Sequence, residues 1–177
     1  MEINMDLGTK TKNVVISAPF GVLEQPGVDK VFPAEIIENL PEVKILYHGN
    51  TPELEQHGNF IDLACAEDIE LKSGEFKLIS FGISVELPEG YWAQVVPRSS
   101  TFKKYGILMA NSFGVIDSDY CGEDDVWMMP VYATRDIKIE KGTRIAQFRV
   151  VEDQPFVLVR TNKLEGKNRG GFGSTGN

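Results

Sequence analysis

From Val43 onward the chain is a succession of short segments rich in β-branched and aromatic residues, many of them alternating between apolar and polar side chains. The segments are VKILYHG, NFIDLACA, EFKLISFGISVEL, YWAQVVP, GILMANS, VWMMPVYA, RIAQFRVV and PFVLVR. Turn-forming PEG, KSGE and EKGT separate several of them. Short strands at such close spacing predict an all-β fold, as an antiparallel sandwich, a jelly roll or a closed barrel.

Two stretches interrupt the strand pattern and predict short helices. In SSTFKKYG, residues 99–106, the serines can cap the first turn, Lys103 and Lys104 lie near the C-terminal end, and Gly106 can end the helix. A second brief helix is predicted over PAEIIENL, residues 33–40.

These patterns divide the chain into three parts. Residues 1–42 are expected to be irregular apart from the short helix and to form an N-terminal extension to the β core of residues 43–160. Residues 161–177 lose apolar character and form a flexible glycine-rich arm that ends NRGGFGSTGN. Fraying is the usual fate of such a terminus. Glycine amides can also close around a phosphate, because glycine allows close approach of the backbone.

Composition limits the classes of partner. The 177 residues suit one domain, and 18 Lys and Arg against 26 Asp and Glu give a net charge of −8, which argues against a nucleic-acid binder. No apolar run is long enough to span a bilayer. Two cysteines are too few for a disulfide framework, so a cytoplasmic location is expected, and His48 and His57 form no zinc-ligand spacing with them.

Four stretches carry polar residues suited to chemistry, and each also has an ordinary structural reading. Arg98, Ser99 and Ser100 in VPRSSTF can form an anion site at a helix start, or simply a helix cap with a surface arginine. In NSFGVIDSDYCGE a carboxylate can act as a general base, or Asp-Ser-Asp can be turn chemistry. Gln147 and Asp62 lie in strand-like segments, where half-buried polar residues are common.

The order of five stretches points to a family. IDLACA, PRSS, NSFGVIDSDYCGE, KGTRIAQFRV and GGFGSTG follow one another at spacings that resemble the five motifs of the trimeric dUTP diphosphatase (dUTPase) family. The resemblance covers residues from about 43 to 177, and GVIDSDY and GGFGSTG are its most specific parts. It implies a distorted antiparallel jelly-roll barrel that assembles into a homotrimer, with each active site drawing on all three chains.

The same resemblance implies a reaction, the hydrolysis of dUTP to dUMP and pyrophosphate. Asp117 matches the family's general base, which activates a water for attack on the α-phosphorus, and Asp119 is the weaker candidate. Asn111 matches the residue that hydrogen-bonds uracil. Tyr120 matches the tyrosine that packs under the sugar and leaves no room for a ribose 2′-hydroxyl.

The resemblance implies three further groups of site residues. The main chain contacts the pyrimidine edge at Gly114, Val115 and Ile116, and the phosphates are contacted by Arg98, Ser99, Ser100 and Gln147. The arm contacts the base and the phosphates through Arg169, Phe172, Gly173 and Ser174. Phe172 matches the aromatic residue that stacks on the base. Asp62 matches an aspartate that acts through water near a Mg²⁺, which the triphosphate oxygens mainly hold.

Two departures from the family pattern leave details open. The arm usually carries an arginine five residues before the phenylalanine, where this chain has Lys167, and Arg169 is preferred for the γ-phosphate because a guanidinium can bind phosphate with two donors. The stretch CGEDDVWMMP starts the next strand late and adds Glu123, Asp124 and Asp125 near Tyr120.

Two alternatives remain at this level. The sibling dCTP deaminase shares the barrel, but Tyr120, the GGFGSTG tail and the absence of a Thr-Leu-Glu segment after Gly122 favour the diphosphatase. A regulatory protein that keeps the barrel without catalysis is the other, and the intact Asp117 and arm favour retained catalysis.

Overall fold

The computed structural model describes residues 2–6, 11–15 and 40–168 of the chain. Most of the helix predicted over residues 33–40 lies outside the described residues, and Leu40 belongs to a bend. Four of the arm residues assigned by resemblance also lie outside them, namely Arg169, Phe172, Gly173 and Ser174.

The described part of the chain consists of fourteen strands and one short helix, which confirms the all-β prediction. The strands are β1 (Glu2–Asp6), β2 (Thr11–Val15), β3 (Lys44–Tyr47), β4 (Glu55–His57), β5 (Phe60–Ala64), β6 (Ile69–Leu71), β7 (Phe76–Ser80), β8 (Ile83–Glu86), β9 (Tyr91–Pro97), β10 (Ile107–Met109), β11 (Gly114–Ile116), β12 (Met128–Ala133), β13 (Ile137–Ile139) and β14 (Arg144–Glu152). The helix is α1 (Thr101–Tyr105), where SSTFKKYG predicted it. No helix in the described ranges is long and apolar enough to cross a membrane.

Antiparallel pairing joins these strands into five sheets. The largest has the order β11-β9-β14-β5-β4, and a three-stranded sheet has the order β10-β12-β7. Three two-stranded sheets pair β1 with β2, β13 with β6, and β3 with β8. Five of the candidate site residues lie on strands of the five-stranded sheet, namely Asp62, Gly114, Val115, Ile116 and Gln147, and Arg98 and Asp117 directly follow two of its strands.

The core is apolar and follows the alternation visible in the sequence. In β6, β10 and β13 the first and third residues are buried and the middle one is exposed, as period-2 strands with one covered face require. Trp127 and Phe148 meet edge to face at its centre, with ring centroids 5.1 Å apart and an interplanar angle of 81°. Both rings are almost fully buried, so this pair fixes β14 against the segment that leads into β12.

Helix α1 is held by a buried hydroxyl rather than by a serine cap. Ser100 occupies the N-cap position, but its side chain makes no capping hydrogen bond, so that part of the prediction is wrong. The buried Thr101 hydroxyl instead donates to the Ile145 carbonyl oxygen at 2.7 Å. Gly106 ends the helix in the left-handed conformation with φ 64°, as predicted, and its N–H donates to the Phe102 carbonyl.

Two segments differ from the sequence-based expectation. The N-terminal extension, expected to be irregular, contains the β1–β2 hairpin. PFVLVR, predicted as a strand, lies beyond the end of β14 at Glu152 and has no strand partner among the described residues. Its apolar residues Phe156 to Val159 are each at least 78 % exposed. A strand needs a neighbouring edge to form its hydrogen bonds, and the described part of the chain does not offer one to this segment.

The two cysteine thiols differ in reactivity. Cys65 is fully buried, and burial raises the pKa of its thiol to about 12, whereas Cys121 is exposed. Since the thiolate is the reactive form and its fraction is small well below the pKa, Cys65 stays protonated at pH 8. We expect Ellman's reagent to label one thiol per native chain at pH 8 and two after denaturation. Cys121→Ser should abolish the native signal, and Cys65→Ser should leave it; rapid labelling of both thiols would contradict the buried position of Cys65.

Replacing the Thr101 hydroxyl should destabilise the fold. Thr101→Val keeps the shape but removes the 2.7 Å hydrogen bond to the Ile145 carbonyl, which keeps the 3.3 Å bond from the Arg98 N–H. Losing one such hydrogen bond typically costs about 0.5–1.5 kcal/mol. Thr161 is the matched control, because its hydroxyl also donates to a carbonyl, that of Lys163, at the exposed surface. Thr161→Val should stay within about 0.5 kcal/mol of the parent. Urea unfolding at one fixed protein concentration measures both, and equal effects would show that burial does not matter here.

Candidate active site

One buried carboxylate organises the end of the five-stranded sheet. Asp62 on β5 is 4 % exposed, the Nε of Arg98 lies 2.9 Å from its Oδ1, and an Nη of Arg144 lies 3.6 Å from its Oδ2. Gln147 on β14 is paired across the sheet with Asp62 on one side and Val96 on the other. We call Asp62, Arg98, Arg144 and Gln147 the arginine cluster.

The cluster has the chemistry of an anion site. Two guanidiniums share one carboxylate, so the group carries a net positive charge although the whole chain carries −8. A guanidinium has five N–H donors, more than one carboxylate can accept, so donors remain for a phosphate. Arg98 and Arg144 are partly exposed, with side-chain exposures of 27 % and 37 %, and a ligand in solution can reach them.

The turn after β9 sets the position of Arg98 and the two serines. The Arg98 N–H donates to the Ile145 carbonyl at 3.3 Å, and the Thr101 N–H donates back to the Arg98 carbonyl at 3.0 Å. Ser99 is exposed and Ser100 is half-buried between these two anchors. The structure therefore brings PRSS next to Asp62 and Gln147, three stretches that are distant in sequence.

Arg144 is the member of the cluster that sequence reasoning missed. In EKGTRIAQF it is the first residue of a strand and stands three residues before Gln147, and a second cation in that stretch was the available signal. A cleft of about 250 Å³ beside Asp62 and Arg144 is also lined by Pro52, Phe81 and Gly142. It opens the arginine cluster to solvent on the β5 side.

The segment from Asn111 to Asp117, which we call the edge segment, contains β11 and forms the edge of the same sheet. Gly114 on β11 is paired with Val95 on β9, and a Cβ added to Gly114 would stand 3.2 Å from the Val95 Cβ. Glycine therefore lets β11 approach β9 closely. Because β11 is an edge strand, half of its backbone N–H and C=O groups face away from the sheet and can recognise a flat polar ligand edge.

Four polar side chains on either side of β11 are exposed to solvent, namely Asn111, Asp117, Asp119 and Tyr120. The Tyr120 N–H donates to the Asp117 carbonyl at 3.2 Å, so a turn connects the two residues. The carboxylate of Asp117 makes no hydrogen bond or ion pair with the described residues, which leaves its oxygens available to a water molecule.

The acidic residues after Tyr120 belong to a loop closed by hydrogen bonds. The Gly122 N–H donates to an Asp125 carboxylate oxygen at 2.7 Å, and the Asp125 N–H returns to the Gly122 carbonyl at 3.0 Å. The Tyr120 hydroxyl lies 3.4 Å from the Val126 carbonyl. The departure from the family pattern is thus a compact turn that lies against the tyrosine.

Within one chain the two halves of the candidate site are far apart. Strand β11 runs antiparallel to β9 with Ile116 opposite Ala93, so Asp117 leaves the sheet near the start of β9, while Arg98 follows its end. Five residue steps along the extended strand lead from Ala93 to Arg98, which is a distance of about 17 Å at roughly 3.3–3.4 Å per step. The structure brings PRSS, Asp62 and Gln147 together but does not bring Asp117 to them.

A bound metal ion would find few protein ligands among the described residues. They contain no group of three His, Cys, Asp or Glu side chains placed to hold a metal ion. The carboxylate of Asp62 already faces two guanidiniums. This donor set fits a Mg²⁺ that takes most of its oxygen ligands from phosphate and water, with Asp62 in indirect contact.

Comparisons with known proteins match most of the chain to one family. The dUTPase family matches residues 52–176. A prophage-derived deoxyuridine 5'-triphosphate nucleotidohydrolase of Bacillus subtilis is 50% identical over 76% of this chain and 98% of its own length. The deoxyuridine 5'-triphosphate nucleotidohydrolase of Rickettsia prowazekii is 42% identical over 76% of this chain and 97% of its own length.

Solved structures show the same fold. A dUTPase of Staphylococcus bacteriophage 80alpha, solved with dUpNHpp, has a TM-score of 0.65 and 24% identity, covering 78% of this chain and 99% of that one. The dUTPase of Streptococcus mutans has a TM-score of 0.58 and 22% identity, covering 65% of this chain and 98% of that one. The jelly-roll fold expected from the resemblance is therefore confirmed. With the family match over most of its length and a relative at 50% identity, the chain belongs to the dUTPase family.

Proposed function

We propose that this enzyme hydrolyses dUTP to dUMP and pyrophosphate, with Mg²⁺, at sites shared between the chains of a homotrimer. The observation that carries the proposal is the exposed Asp117 carboxylate on the edge segment, in a chain whose residues 52–176 match the dUTPase family. The relatives' names, deoxyuridine 5'-triphosphate nucleotidohydrolases, support the same substrate and reaction.

Asp117 acts as the general base. Its carboxylate accepts a proton from a water molecule, and the water oxygen forms a bond to the α-phosphorus. The bond between the α-phosphorus and the oxygen bridging to the β-phosphorus breaks, so pyrophosphate leaves and dUMP keeps the new oxygen. A carboxylate with no ion-pair partner among the described residues suits this role, because a neighbouring cation would make it a weaker base.

The arginine cluster and the neighbouring turn bind the phosphates. Arg98 and Gln147 offer N–H donors, Ser99 and Ser100 offer hydroxyls, and Arg144 adds a second guanidinium. Asp62 holds both arginines in place and contacts the metal through water. When bound, the Mg²⁺ neutralises phosphate charge and orients the leaving group.

The edge segment and Tyr120 recognise the nucleoside. Asn111 and the outward main-chain groups of Gly114, Val115 and Ile116 hydrogen-bond the uracil edge, and the tight backbone excludes the methyl group of thymine. Tyr120 packs under the deoxyribose and excludes a 2′-hydroxyl. The arm supplies the remaining contacts.

In the arm, Phe172 stacks on the base, Gly173 and Ser174 contact the phosphates, and Arg169 rather than Lys167 binds the γ-phosphate, since a guanidinium can bind it with two donors.

Three features support shared sites in a homotrimer. Asp117 lies too far along the sheet from Arg98 of its own chain to act on the same triphosphate. The PFVLVR segment exposes four apolar residues that a neighbouring chain can cover. The outer face of the β10-β12-β7 sheet is apolar as well, with exposed Phe76, Leu78, Leu108, Met128 and Tyr132.

Removing the general base should abolish turnover without abolishing binding. For Asp117→Asn we expect kcat to fall by about 10²–10⁴ while dUTP still binds, because the loss of a positioned base has that effect. Pyrophosphate release with Mg²⁺ is the measurement, over dUTP, dCTP, dTTP and UTP, and calorimetry with dUpNHpp measures binding. Asp119→Asn, two residues further along the chain, is the matched control, and this variant should retain most of the parent activity.

The outcomes of this experiment separate the alternatives. Near-normal kcat in Asp117→Asn with loss in Asp119→Asn would move the base to Asp119. Ammonia release from dCTP would indicate the deaminase instead. If the parent protein folds and binds dUpNHpp but releases no pyrophosphate from any of the four nucleotides, the remaining alternative is a regulatory protein without catalysis.

Mixed trimers test whether Asp117 and the arm of different chains serve one site. One variant carries Asp117→Asn with its arm, and the other is truncated before Lys167 with Asp117 intact, so each homotrimer lacks one component at every site. In a mixed trimer the truncated chain's Asp117 can meet the other chain's arm. We therefore expect activity above the sum of the two homotrimers after subunit exchange.

Native mass spectrometry provides the control by showing that mixed trimers form. If they form and the activity stays at the sum of the two homotrimers, base and arm belong to a site within one chain. If the protein is not trimeric, the mass alone shows it.

A further inference from the structure

A chain of hydrogen bonds connects the barrel to the acidic loop, which we define as residues 121–126. The Ser84 side chain on β8 is almost fully buried, with 3 % of the residue exposed, and its hydroxyl donates to the Glu123 carbonyl oxygen at 2.8 Å. The Nε2 of His48 lies 2.9 Å from the same hydroxyl oxygen. A hydroxyl has one hydrogen, and the carbonyl accepts it, so the His48 Nε2 must carry a proton and donate to Ser84.

His48, at one end of this series of hydrogen bonds, is held by the barrel. The His48 N–H donates to the Gly82 carbonyl at 2.8 Å, and the Thr51 hydroxyl donates to the His48 carbonyl at 2.6 Å. His48 directly follows β3, and Ser84 lies within β8, which pairs with β3. The ring is thus placed by two paired strands and does not depend on the loop for its position.

The loop end lies against Tyr120. The Trp127 N–H donates to the Ile83 carbonyl at 2.8 Å, so β8 holds the loop both at Glu123, through Ser84, and at its exit, through Ile83. Between these two points the Val126 carbonyl lies 3.4 Å from the Tyr120 hydroxyl. Tyr120 is 41 % exposed, and among the described residues its hydroxyl has this one hydrogen-bond partner.

The loop has an electrostatic reason to need such an anchor. Glu123, Asp124 and Asp125 are consecutive carboxylates, and Asp119 stands close by in sequence. Like charges at this spacing repel each other, which favours a more open loop. A hydrogen bond between a buried hydroxyl and the Glu123 carbonyl opposes that opening and keeps Val126 beside the tyrosine.

We propose that His48 and Ser84 are positioning residues that set the selectivity for deoxyribose by holding the acidic loop against Tyr120. The inference rests on the proposed function, since it requires that Tyr120 excludes the 2′-hydroxyl of the substrate. Neither side chain reaches the substrate itself. They act through the Glu123 carbonyl on the loop and through the loop on the tyrosine ring.

The test compares kcat/KM for dUTP with kcat/KM for UTP in His48→Leu, His48→Gln and Ser84→Ala. We expect the ratio to fall about fivefold in His48→Leu and Ser84→Ala, the factor that corresponds to about one net hydrogen bond. Most of the loss on dUTP should appear in KM. His48→Gln keeps an N–H donor near the position of Nε2, so it should restore most of the ratio. Thermal midpoints and native mass confirm that each variant folds and assembles.

A double variant separates positioning from a general effect on stability. If His48 acts through Tyr120, His48→Leu should lower the ratio no further in a Tyr120→Ala background, because coupled residues are not additive. An unchanged ratio in both His48→Leu and Ser84→Ala, equal losses in His48→Leu and His48→Gln, or additive losses with Tyr120→Ala would each overturn the inference. The proposed function fails separately, if the parent enzyme releases no pyrophosphate from dUTP.

Discussion

The contact of Asp62 with Arg98 and Arg144 is the interaction on which the candidate site depends. A carboxylate that is 4 % exposed is costly to bury unless cations or hydrogen bonds compensate its lost hydration, and here two guanidiniums do so. The three residues come from β5, from the turn after β9 and from the start of β14. The pairing of β14 with both other strands brings them together, so the charges of the cluster and the register of the sheet depend on each other.

The same register separates Asp117 from this cluster. Because Gly114 lies opposite Val95, the edge segment runs toward the start of β9, away from Arg98. One chain therefore presents the arginine cluster at one end of the sheet and Asp117 toward the other. It also leaves apolar residues exposed, in PFVLVR and on the β10-β12-β7 face. These features have a common explanation if neighbouring chains complete the sites and cover the apolar surfaces.

The acidic loop shows how a family fold accommodates a local change. Its extra carboxylates interrupt the expected strand after Tyr120, yet Trp127 enters the core and meets Phe148 edge to face. Hydrogen bonds from Ser84 and to Ile83 attach the loop to β8 on either side of Val126. The acidic loop is therefore part of the structure around Tyr120, and Ser84 connects it to His48, which lies outside the five motif stretches.

The amino-acid sequence alone was sufficient for the all-β class, the helix at SSTFKKYG with its glycine end, and the stretches that carry the candidate residues, because strand alternation, turn residues and motifs are local properties. It did not identify Arg144 as a partner of Asp62, the use of Thr101 instead of a serine to anchor α1, or the connection from His48 through Ser84 to the acidic loop. It also predicted a strand at PFVLVR that has no partner among the described residues. Each of these depends on which distant segments become neighbours, and only the pairing of strands in three dimensions decides that.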